Sequence, residues 1–549
     1  MTKKIPIKIG FLTNSNFVSK YVFDLAKWAI DQENIQINLL VIKKNHTSTR
    51  NFFKFKYLII FIQQFFYGFI VKFETILLKK IFLHNNHYKK YDLYKLISSA
   101  TFITPLALNN NEFIEFSNND RQKIKDLNLD LIVQCDIQNI TNNLINTSRL
   151  GVVKFNYGGD NYPSGFWDVY YKKKSTSFSI ESFTEEDNNG VIIFEGEFQT
   201  QFFYSLNQAF LHTKSNYYMK EVLTIISLNK LLPEIRVNSI YKNSIIKKPN
   251  FWNYLYYLTI TIVLLLKKIY TKYVQKKRAR WGVAFSNQNW ENFNYSQSTK
   301  IKNPVGCFLA DPFLFNISNK DYCFVEEFNY KDNKAHISVY EIVNKTYSRL
   351  GIAINEPFHL SFPYIFEYKD KVYMCPESSQ NKDIRLYESI KFPLQWRLSK
   401  VLMSNVDAAD TMIFKYNNVW WLFTNMDFSN TGDHASELSI FYSKTGPITD
   451  HWTPHTQNPV IINSNKARNA GLLFKENIIY RVSQTQGFDL YGENFSVNQI
   501  LELDQHCYKE DEYFSVKPDF FKNIVGTHHC HANKNYTVID FLEISKINF

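Results

Sequence analysis

Cysteine is scarce in this chain, and the signatures of several protein classes are missing from it. The 549 residues include six cysteines, all far apart and none in a Cys-x-x-Cys pair. This spacing excludes a zinc finger, and several cysteines lie inside strand patterns, as small buried residues do. Both observations fit a reducing cytosol. The first residues, MTKKIPIKIGFL, enter a strand at once and show no signal-peptide cleavage region, so we expect a cytoplasmic protein.

Nucleic-acid-binding signatures are also missing, although the formal net charge is +12. Lysines are scattered, apart from one dense cluster at residues 267–281, KKIYTKYVQKKRARW. Before it stand sixteen uncharged residues, 251–266 (FWNYLYYLTITIVLLL), fewer than the ~20 that a membrane-spanning helix needs. An aromatic start and a basic end are typical of a helix lying in an anionic membrane surface. We therefore predict no nucleic-acid partner and a peripheral position on the inner face of the cell membrane. A single span and a buried interdomain helix are the alternatives.

The first 232 residues predict an α/β domain of the Rossmann type. Residues 5–13 and 35–42 are apolar strand patterns separated by an amphipathic stretch, which predicts a βαβ opening and a parallel sheet. Residues 58–82 are very apolar but interrupted by polar side chains. They indicate a helix, or a hairpin of helices, lying on the domain or on a membrane. Two further buried strands are predicted at residues 127–135 and 150–158.

Residues 149–198, which begin RLGVVKFNYGG, resemble the core of the formyltransferase fold. Enzymes of that type carry an Asn-x-His after the strand and an aspartate in a later Leu-Asp-x-Gly element. In this chain Lys154 and Asn156 occupy the Asn-x-His places. Asn188 stands where the aspartate belongs, with Asp187 one residue earlier. The resemblance therefore implies the scaffold of a binding or docking domain, and amino-sugar N-formyl transfer is the less favoured alternative.

A strand–turn–strand unit recurs through the second half of the chain. Its copies are LADPFLFNISNKDYCFVEEF, SFPYIFEYKDKVYMCPESS, ADTMIFKYNNVWWLFTNMD, NAGLLFKENIIYRVSQTQ and, more weakly, THHCHANKNYTVIDFL. Phenylalanines 315, 366, 414 and 474 align at spacings of 51, 48 and 60 residues, and further strand patterns follow each pair. Four short strands per unit, repeated about five times, predict an all-β five-bladed β-propeller over residues 281–549. Residues 280–286 (RWGVAFS) are predicted to close its ring, residues 233–280 form a linker, and a β-sandwich is the alternative.

The repeat also predicts where polar side chains meet. The start of a hairpin's first strand and the end of its second lie at one edge, which in a propeller is the channel mouth. Carboxylates from several blades fall at this edge, together with an arginine, a glutamine and histidines: Asp311, Glu326, Glu327, Glu377, Asp410, Asp427, Arg468, Gln484 and His529 or His531. Glycosyl chemistry uses such carboxylates, because one protonates a leaving oxygen while another stabilises or attacks the sugar carbon. Turn capping and pairing with lysines are the alternative roles.

Several motifs of this half resemble one known family. LADPFLF, HLSFPYIF, CPESS, AADTMIF, ARNAGLLF and the run containing Arg481, Gln484, Tyr491 and Gly492 are similar to the N-terminal propeller of plant glucosamine inositolphosphorylceramide transferases. Bacterial proteins of that type join the propeller to a formyltransferase-like domain and are associated with building surface polysaccharides. The plant proteins also bear a nucleotide-sugar transferase domain, whereas this sequence has no Asp-x-Asp motif of that kind. LADPFLF further resembles the Ala-Asp-Pro start of five-bladed glycosidases, in which the aspartate, here Asp311, is catalytic.

Together these observations predict a glycosyltransferase of bacterial surface polysaccharide or glycolipid assembly. We expect Asp311 to be the base or stabiliser, Glu377 or Glu327 the acid, and Asp410 a third carboxylate that tunes them. Arg468 is expected to hold a phosphate or carboxylate of the donor. The expected sugar contacts are His359, Gln484, Tyr491 and His529. The predicted substrates are a nucleotide- or lipid-linked sugar donor and a glycan or lipid-linked acceptor, with no cofactor or metal. A non-catalytic glycan-binding scaffold and a glycoside hydrolase are the alternatives.

Overall fold

The chain folds into two compact units, Met1–Ile262 and Val263–Phe549. The structure, a computed structural model, describes residues 5–42, 55–78, 86–104, 116–135, 142–157, 163–187, 190–233, 248–292 and 294–546. Each unit has its own strands and its own apolar core. The predicted domain boundary at residue 232 lies inside the first unit, and the one at residue 281 lies inside the second.

The first unit is built on a mixed sheet. Its described strands are β1 Ile7–Thr13, β2 Phe17–Ser19, β3 Ile35–Ile42, β4 Lys90–Asp92, β5 Thr101–Ile103, β6 Leu131–Gln134, β7 Val152–Asn156, β8 Ser175–Phe183 and β9 Val191–Gln199. Seven of them form one sheet in the order β5-β3-β1-β6-β7-β8-β9, and β2 pairs with β4. The strands from β5 to β7 run parallel, which fits their apolar sequences, whereas β8 and β9 are antiparallel. The predicted α/β sheet is present, and the formyltransferase-like assignment stays a prediction.

Helices of very different lengths accompany this sheet. They are α1 Lys20–Ile30, α2 Phe55–Leu77, α3 Leu93–Leu96, α4 Asn118–Asp126, α5 Phe166–Tyr170, α6 Tyr204–Asn229 and α7 Phe251–Ile269, with a 3₁₀ segment at Asn142–Thr147. In α1 the buried residues Tyr21, Val22, Leu25, Ala26 and Ala29 recur at helical spacing, so one face packs and the other meets solvent. The apolar stretch predicted as a helix or helical hairpin at residues 58–82 is helical up to Leu77, within α2, and residues 79–82 lie outside the described residues.

Helix α7 is longer than its apolar core suggested. After Ile269 it continues through a π-helical turn, Tyr270–Val274, and Phe251–Val274 is 24 residues long. This helix is long and apolar enough to cross a membrane, a test that some core helices of soluble proteins also pass. The length argument against a span was therefore wrong, because it counted only the uncharged residues and not the lysine-bearing turns that follow them.

The second unit is a five-bladed β-propeller, as predicted. It begins with β10 Lys277–Ser286 and β11 Thr299–Ile301. Blade 1 contains β12 Cys307–Ile317, β13 Lys320–Asn329, β14 Lys334–Val343 and β15 Thr346–Ile354. Blade 2 contains β16 Ser361–Tyr368, β17 Lys371–Glu377, β18 Asp383–Lys391 and β19 Gln395–Ser404. Blade 3 contains β20 Ala408–Tyr416, β21 Val419–Met426, β22 Glu437–Ser443, β23 Thr453–Pro454 and β24 Ile461–Ile462.

The last two blades complete the ring. Blade 4 contains β25 Asn469–Lys475, β26 Ile478–Gly487, β27 Leu490–Leu503 and β28 Tyr508–Val516. Blade 5 contains β29 Ile524–Gly526, β30 Cys530–Ala532 and β31 Thr537–Lys546, to which β10 and β11 are added. Strand β10 pairs antiparallel with β31 from Lys277↔Lys546 to Ser286↔Thr537. The predicted closing strand is therefore confirmed, and the two ends of the propeller sequence are hydrogen-bonded within one blade.

The core of the propeller lies between neighbouring blades. Phe324 of blade 1 packs in one cluster with Met374 and Tyr387 of blade 2, and Trp421 of blade 3 shares another with Leu472 of blade 4. Sheets packed face to face in this way bury side chains on both of their faces. The inner strands are therefore nearly continuous apolar runs. Their packing holds the first residue of each inner strand at a fixed position around the channel.

Candidate functional site

The inner strand of each of blades 1 to 4 is interrupted by a β-bulge near its start. The register shifts between Ala310 and Phe313 in β12, and the corresponding positions of β16, β20 and β25 shift in the same way. Asp311 and Asp410 occupy the bulges of blades 1 and 3 with φ values of 48° and 49°. Non-glycine residues rarely adopt this left-handed conformation, and such strain concentrates at functional sites. The bulges therefore position two aspartates at equivalent places in two blades.

Five buried or nearly buried carboxyl groups from four blades surround these bulges: Asp311 and Glu326 from blade 1, Glu377 from blade 2, Asp410 from blade 3 and Asp540 from blade 5. Asp311, Asp410 and Glu377 influence one another's charge, and Glu326 also contacts Asp311. The predicted convergence of Asp311, Glu377 and Asp410 around one site is what the structure contains. We call these five residues the carboxyl cluster.

Asp311 and Glu326 form the first hydrogen-bonded pair of the cluster. Burial raises the pKa of Asp311 to about 6, with His528 opposing the rise and Asp540 adding to it. Burial and the nearby Asp311 raise the pKa of Glu326 well above its ordinary value. Because like charges in contact cannot both ionise easily, the pair holds a proton, and Glu326 is the residue that keeps it at neutral pH. Glu326 is therefore a carboxylic acid beside an ionised aspartate.

Asp410 and Glu377 form the second pair, in which the aspartate rather than the glutamate holds the proton. Burial raises the pKa of Asp410 well above its ordinary value although Arg468 opposes it, and Glu377 adds to the rise. Burial also acts on Glu377, but Arg468 and the hydrogen bond with Asp410 outweigh it and leave the pKa of Glu377 below its ordinary value. Ser379 Oγ donates a further hydrogen bond of 2.7 Å to Glu377. In this pair Asp410 holds the proton and Glu377 carries the charge.

Arg468 is the cation that joins this second pair. Its Nε lies 2.6 Å from Asp410 Oδ2, and its Nη2 lies 3.6 Å from Glu377 Oε2. The guanidinium carbon also lies 5.1 Å from the centroid of the Tyr491 ring, in cation–π contact. The side chains of Arg468 and Glu377 keep 14% and 12% of their surface exposed, so the cluster meets solvent here. Part of the guanidinium thus contacts protein carboxyl groups, which leaves fewer of its N–H groups to bind a donor phosphate.

The other predicted sugar contacts border the cluster at different depths. Gln484 is buried and its Nε2 lies 3.4 Å from Asp410 Oδ2. His359 Nε2 lies 3.4 Å from Glu326 Oε1, with about a third of the side chain exposed. Tyr491 is 39% exposed, and its ring also contacts His528. His529 is fully buried, with Nδ1 3.8 Å from Asp311 Oδ1, and a substrate does not reach it directly.

Glu327 lies outside the carboxyl cluster, and its predicted place there is corrected. Its carboxylate receives bidentate hydrogen bonds of 3.0 to 3.1 Å from Arg349, on the outer strand of the same blade. Burial raises its pKa, but His336, Ser338 and Arg349 outweigh this and leave the pKa lowered. Neighbouring residues of a strand point to opposite faces, so Glu326 faces Asp311 and Glu327 faces Arg349. Glu327 is thus a structural ion pair in this structure.

Blade 5 supplies two residues that the sequence did not single out. His528 Nδ1 lies 2.6 Å from Asp540 Oδ2, and His528 Nε2 lies 3.4 Å from Asp311 Oδ1. Asp540 Oδ1 also accepts the backbone N–H groups of His528 and His529, at 2.9 and 3.0 Å. The Trp281 ring stacks on His528 with centroids 4.0 Å apart. The signal in the sequence was the polar aspartate inside YTVIDFL, an otherwise apolar strand.

The fold and the cluster together define a class: a five-bladed β-propeller with a buried carboxyl site shared among blades. Residues 264–534 match the family described as glucosamine inositolphosphorylceramide transferase 1, N-terminal. The chain is 36% identical over 211 residues to glucosamine inositolphosphorylceramide transferase 1 of Oryza sativa subsp. japonica, and 34% identical over 210 residues to that of Arabidopsis thaliana. Each alignment covers 37% of this chain and 27% of the plant protein. The chain therefore spans little more than a quarter of these relatives.

Solved structures with a similar fold are more distant. One is Zg3597, a family 117 glycoside hydrolase of Zobellia galactanivorans, at 12% identity and a TM-score of 0.33, covering 50% of this chain and 93% of that one. Another is the GH32 β-fructofuranosidase BmSUC1 of Bombyx mori, at 14% identity and a TM-score of 0.33, covering 53% and 63%. At these values the similarity carries no argument about function.

Proposed function

We propose that this protein is a glycosyltransferase that acts in the assembly of a surface polysaccharide or glycolipid, with its site at the carboxyl cluster. The observation that carries the proposal is the convergence of five buried or nearly buried carboxyls from four blades beside Arg468, because glycosyl transfer needs both an acid and a base or stabiliser. The plant proteins matched by residues 264–534 are named as transferases, which supports transfer over hydrolysis.

The proposed roles follow from the protonation states. In the transfer step the acceptor oxygen forms a bond to the anomeric carbon, and the bond from that carbon to the leaving oxygen breaks. The acceptor proton passes to a carboxylate, and the leaving group receives a proton or keeps its charge. Asp311 or Glu377 takes the base or stabilising role, and Glu326 is the acid in place of Glu377 or Glu327. Asp410 tunes Glu377, and Arg468 contributes positive charge near the leaving group.

The first unit offers a surface that suits a membrane-embedded acceptor. Phe61, Phe65 and Phe69 follow one another at helical spacing on α2, with 65%, 61% and 46% of their surface exposed. On α7, Trp252 and Tyr256 are 70% and 51% exposed. Aromatic side chains at such positions insert at headgroup depth in a bilayer. We name these five side chains the aromatic face.

The opposite sides of the same two helices are fixed to the unit. Phe66 contacts Phe251 edge to face with ring centroids 4.8 Å apart, and the Tyr257 hydroxyl donates a hydrogen bond to Glu74. Glu74 also accepts the Ser205 N–H at 2.7 Å. The aromatic face is therefore held by contacts within the first unit, and Lys267 near the end of α7 provides positive charge for anionic headgroups, whereas Lys268 is paired with Asp489. We propose that the helices lie in the membrane surface on its cytoplasmic side.

An acceptor-dependence assay tests the transferase proposal. The purified full chain is incubated with a panel of radiolabelled nucleotide sugars or lipid-linked sugars, with and without a bacterial membrane-lipid and glycan extract. We expect label in the glycan or lipid fraction only when acceptor is present, and a loss of about 10²-fold or more in Asp311→Asn. Asp370→Asn is the matched control, because Asp370 is an exposed aspartate in a blade 2 turn.

The other outcomes separate the alternatives. Release of free sugar without acceptor would replace the transferase with a glycoside hydrolase that uses the same cluster. Glycan binding that persists in Asp311→Asn, with no turnover of any donor, would indicate the non-catalytic scaffold. Formyl transfer is tested separately with formyl-tetrahydrofolate and an amino-sugar nucleotide. In the first unit Lys154 and Asn156 both engage Glu181 on β8, which supports a docking role over a catalytic one.

A further inference from the structure

Two imidazole nitrogens converge on one oxygen of Asp311. His528 Nε2 lies 3.4 Å and His529 Nδ1 lies 3.8 Å from Asp311 Oδ1. All three side chains are at most 8% exposed. The ligand atoms of Asp311, His528 and the neighbouring Asp540 lie within 4.8 Å of one another. Three donor atoms are therefore arranged around a point inside the propeller.

These separations are too long for good hydrogen bonds, and one histidine has no partner of its own. A distance of 3.8 Å between nitrogen and oxygen is beyond hydrogen-bond range, and 3.4 Å is at its limit. The Pro312 carbonyl lies near the His529 ring, yet neither ring nitrogen of His529 makes a hydrogen bond of normal geometry. A fully buried, unpartnered imidazole aimed at a carboxylate needs a physical reason.

Asp540 completes the arrangement from the other side of His528. Its Oδ2 lies 2.6 Å from His528 Nδ1, and its Oδ1 is already occupied by two backbone N–H groups. A carboxylate that accepts the Nδ1 proton of a histidine fixes the tautomer whose Nε2 lone pair is free. His528 Nε2, on the other side of the ring, faces Asp311 Oδ1 at 3.4 Å. Metal-binding histidines are oriented by carboxylates in the same way.

We propose that Asp311 Oδ1, His528 Nε2 and His529 Nδ1 bind a first-row divalent cation, with Asp540 as the outer carboxylate. A tetrahedral ion with ligand bonds of about 2.0 to 2.1 Å has ligand–ligand edges of about 3.3 Å. The separation of 3.4 Å between Asp311 Oδ1 and His528 Nε2 is close to such an edge, and that of 3.8 Å between Asp311 Oδ1 and His529 Nδ1 is longer. Two nitrogens and one oxygen favour Zn²⁺ or another first-row ion over Ca²⁺ or Mg²⁺, which prefer oxygen. Three protein ligands leave at least one coordination position open, as in catalytic sites.

The proposal is independent of the transferase reaction, because it rests on these four residues alone. When the cation is bound, Asp311 is a ligand, and Glu377 is the carboxylate left to accept a proton. The competing arrangement has a protonated His528 bridging Asp311 and Asp540 without any metal. The two arrangements differ in a measurable way, since one binds a cation and the other excludes it.

Metal titration of the chelator-treated full chain tests the site. Zn²⁺ and Mn²⁺ are added by isothermal titration calorimetry, and Co²⁺ is added with its ligand-field absorption recorded. We expect one equivalent to bind, with a Co²⁺ spectrum of a nitrogen-containing, low-coordinate site. Asp311→Asn and His529→Gln should weaken binding by at least tenfold, and Asp540→Asn by about 10- to 100-fold. His531→Gln should bind like the wild type, because His531 is a neighbouring half-buried histidine whose Nδ1 already accepts the Leu314 N–H.

The measurement on the wild-type protein can overturn the proposal by itself, so the test does not depend on every variant folding. Absence of stoichiometric binding of all three ions to the folded wild-type protein would overturn the proposal and favour the protonated His528. Binding that is unchanged in both folded Asp311→Asn and His529→Gln would overturn it as well, because the cation would then lie elsewhere. Transferase activity plays no part in these readouts, so their outcome is separate from that of the proposed function.

Discussion

Arg468 Nε lies 2.6 Å from Asp410 Oδ2, and this contact joins the inner strand of blade 3 to the segment that enters blade 4. Glu377 of blade 2 lies 3.6 Å from the same guanidinium. One arginine therefore contacts carboxyls from two blades at the largely buried edge of the cluster. A buried charge left without its partner is strongly destabilising, so Arg468 should matter for stability as well as for substrate.

We expect Arg468→Gln to lower the free energy of unfolding by about 3–5 kcal/mol, because the buried charge of Glu377 loses its counter-charge. Urea denaturation followed by circular dichroism measures this change. The double variant Arg468→Gln/Glu377→Gln should recover part of the loss, since it removes the uncompensated charge. Equal stability of the single and double variants would contradict the coupling.

Asp410→Asn should change how stability depends on pH. The folded pKa of Asp410 lies well above its ordinary value of 3.8, chiefly because of burial. Between these two values the folded state holds a proton that the unfolded state has lost, so stability falls as pH rises through this window. Asparagine cannot ionise and removes that fall. The variant should therefore gain stability relative to wild type between pH 4 and pH 7, while its transferase activity decreases.

Denaturation of both proteins at a series of pH values measures the difference. Asp370→Asn, the exposed control, should show little change in this difference across the same range. A difference that stays constant from pH 4 to pH 7 would contradict the prediction, because it would mean that Asp410 is already ionised in the folded protein at pH 4.

Glu326 and Glu327 are adjacent in β13, and the structure predicts different effects when each is replaced. Glu326→Gln should reduce transferase activity by about 10²-fold or more with little loss of stability, because it removes the proton donor beside Asp311. Glu327→Gln should lower the free energy of unfolding by about 1–3 kcal/mol, because it breaks charged hydrogen bonds with Arg349, and it should keep activity. Parallel measurements of kcat and melting temperature separate the two. The reverse pattern would return Glu327 to the site.

The same pair of residues shows what the sequence could and could not predict. The spacing of the hairpins predicted the propeller and brought Asp311, Glu377 and Asp410 to one edge. Strand β13, however, is buried along most of its length on both faces, so alternation of apolar and polar residues does not separate Glu326 from Glu327. The β-bulges also add a residue to each inner strand, and an inserted residue reverses which face follows. Side-chain direction near the bulges therefore required coordinates.

Blade 5 was harder to predict from the sequence, because it is assembled from both ends of the propeller sequence. Its inner part is divided between β29 and β30, so the hairpin spacing that marks the other blades is weak there. The Asp540 carboxylate accepts hydrogen bonds from the backbone of His528, twelve residues away in the sequence, and of Asp311, 229 residues away. Hydrogen bonds between residues so far apart in the sequence follow from closure of the ring, and no local sequence pattern predicts them.

Gly492 controls the position of His528. Its φ is +64°, and a Cβ at this residue would lie 2.6 Å from His528 Cβ and 3.1 Å from the Trp281 ring. Gly492→Ala should therefore displace the stacked His528 and Trp281 and destabilise the protein by more than about 1 kcal/mol. Thermal unfolding and Trp281 fluorescence report the two effects. Gly432→Ala is the control, because Gly432 has a similar φ of +78° with no atom within 4 Å of the added Cβ. Equal effects of the two substitutions would show that backbone strain alone is responsible.

The aromatic face on α2 and α7 should hold the protein on anionic membranes. Flotation with phosphatidylglycerol-containing vesicles measures binding, and we expect the triple variant Phe61→Ser/Phe65→Ser/Phe69→Ser to reduce it at least tenfold, because three exposed rings no longer enter the bilayer. Phe474→Ser removes a ring that is 52% exposed on blade 4 and should leave binding unchanged. Pure phosphatidylcholine vesicles should bind less, since they lack the anionic headgroups that attract Lys267.

Alkaline carbonate treatment of cell membranes distinguishes the two orientations of α7. A helix that lies in the surface is released at high pH, because only headgroup-depth contacts hold it, whereas a spanning helix stays in the membrane. We expect release, since Tyr254, Tyr257 and Thr261 on one side of α7 pack within the first unit and are not available to lipid. Retention of the wild-type protein after carbonate treatment would instead show that Phe251–Val274 crosses the bilayer, for which its 24 residues are long enough.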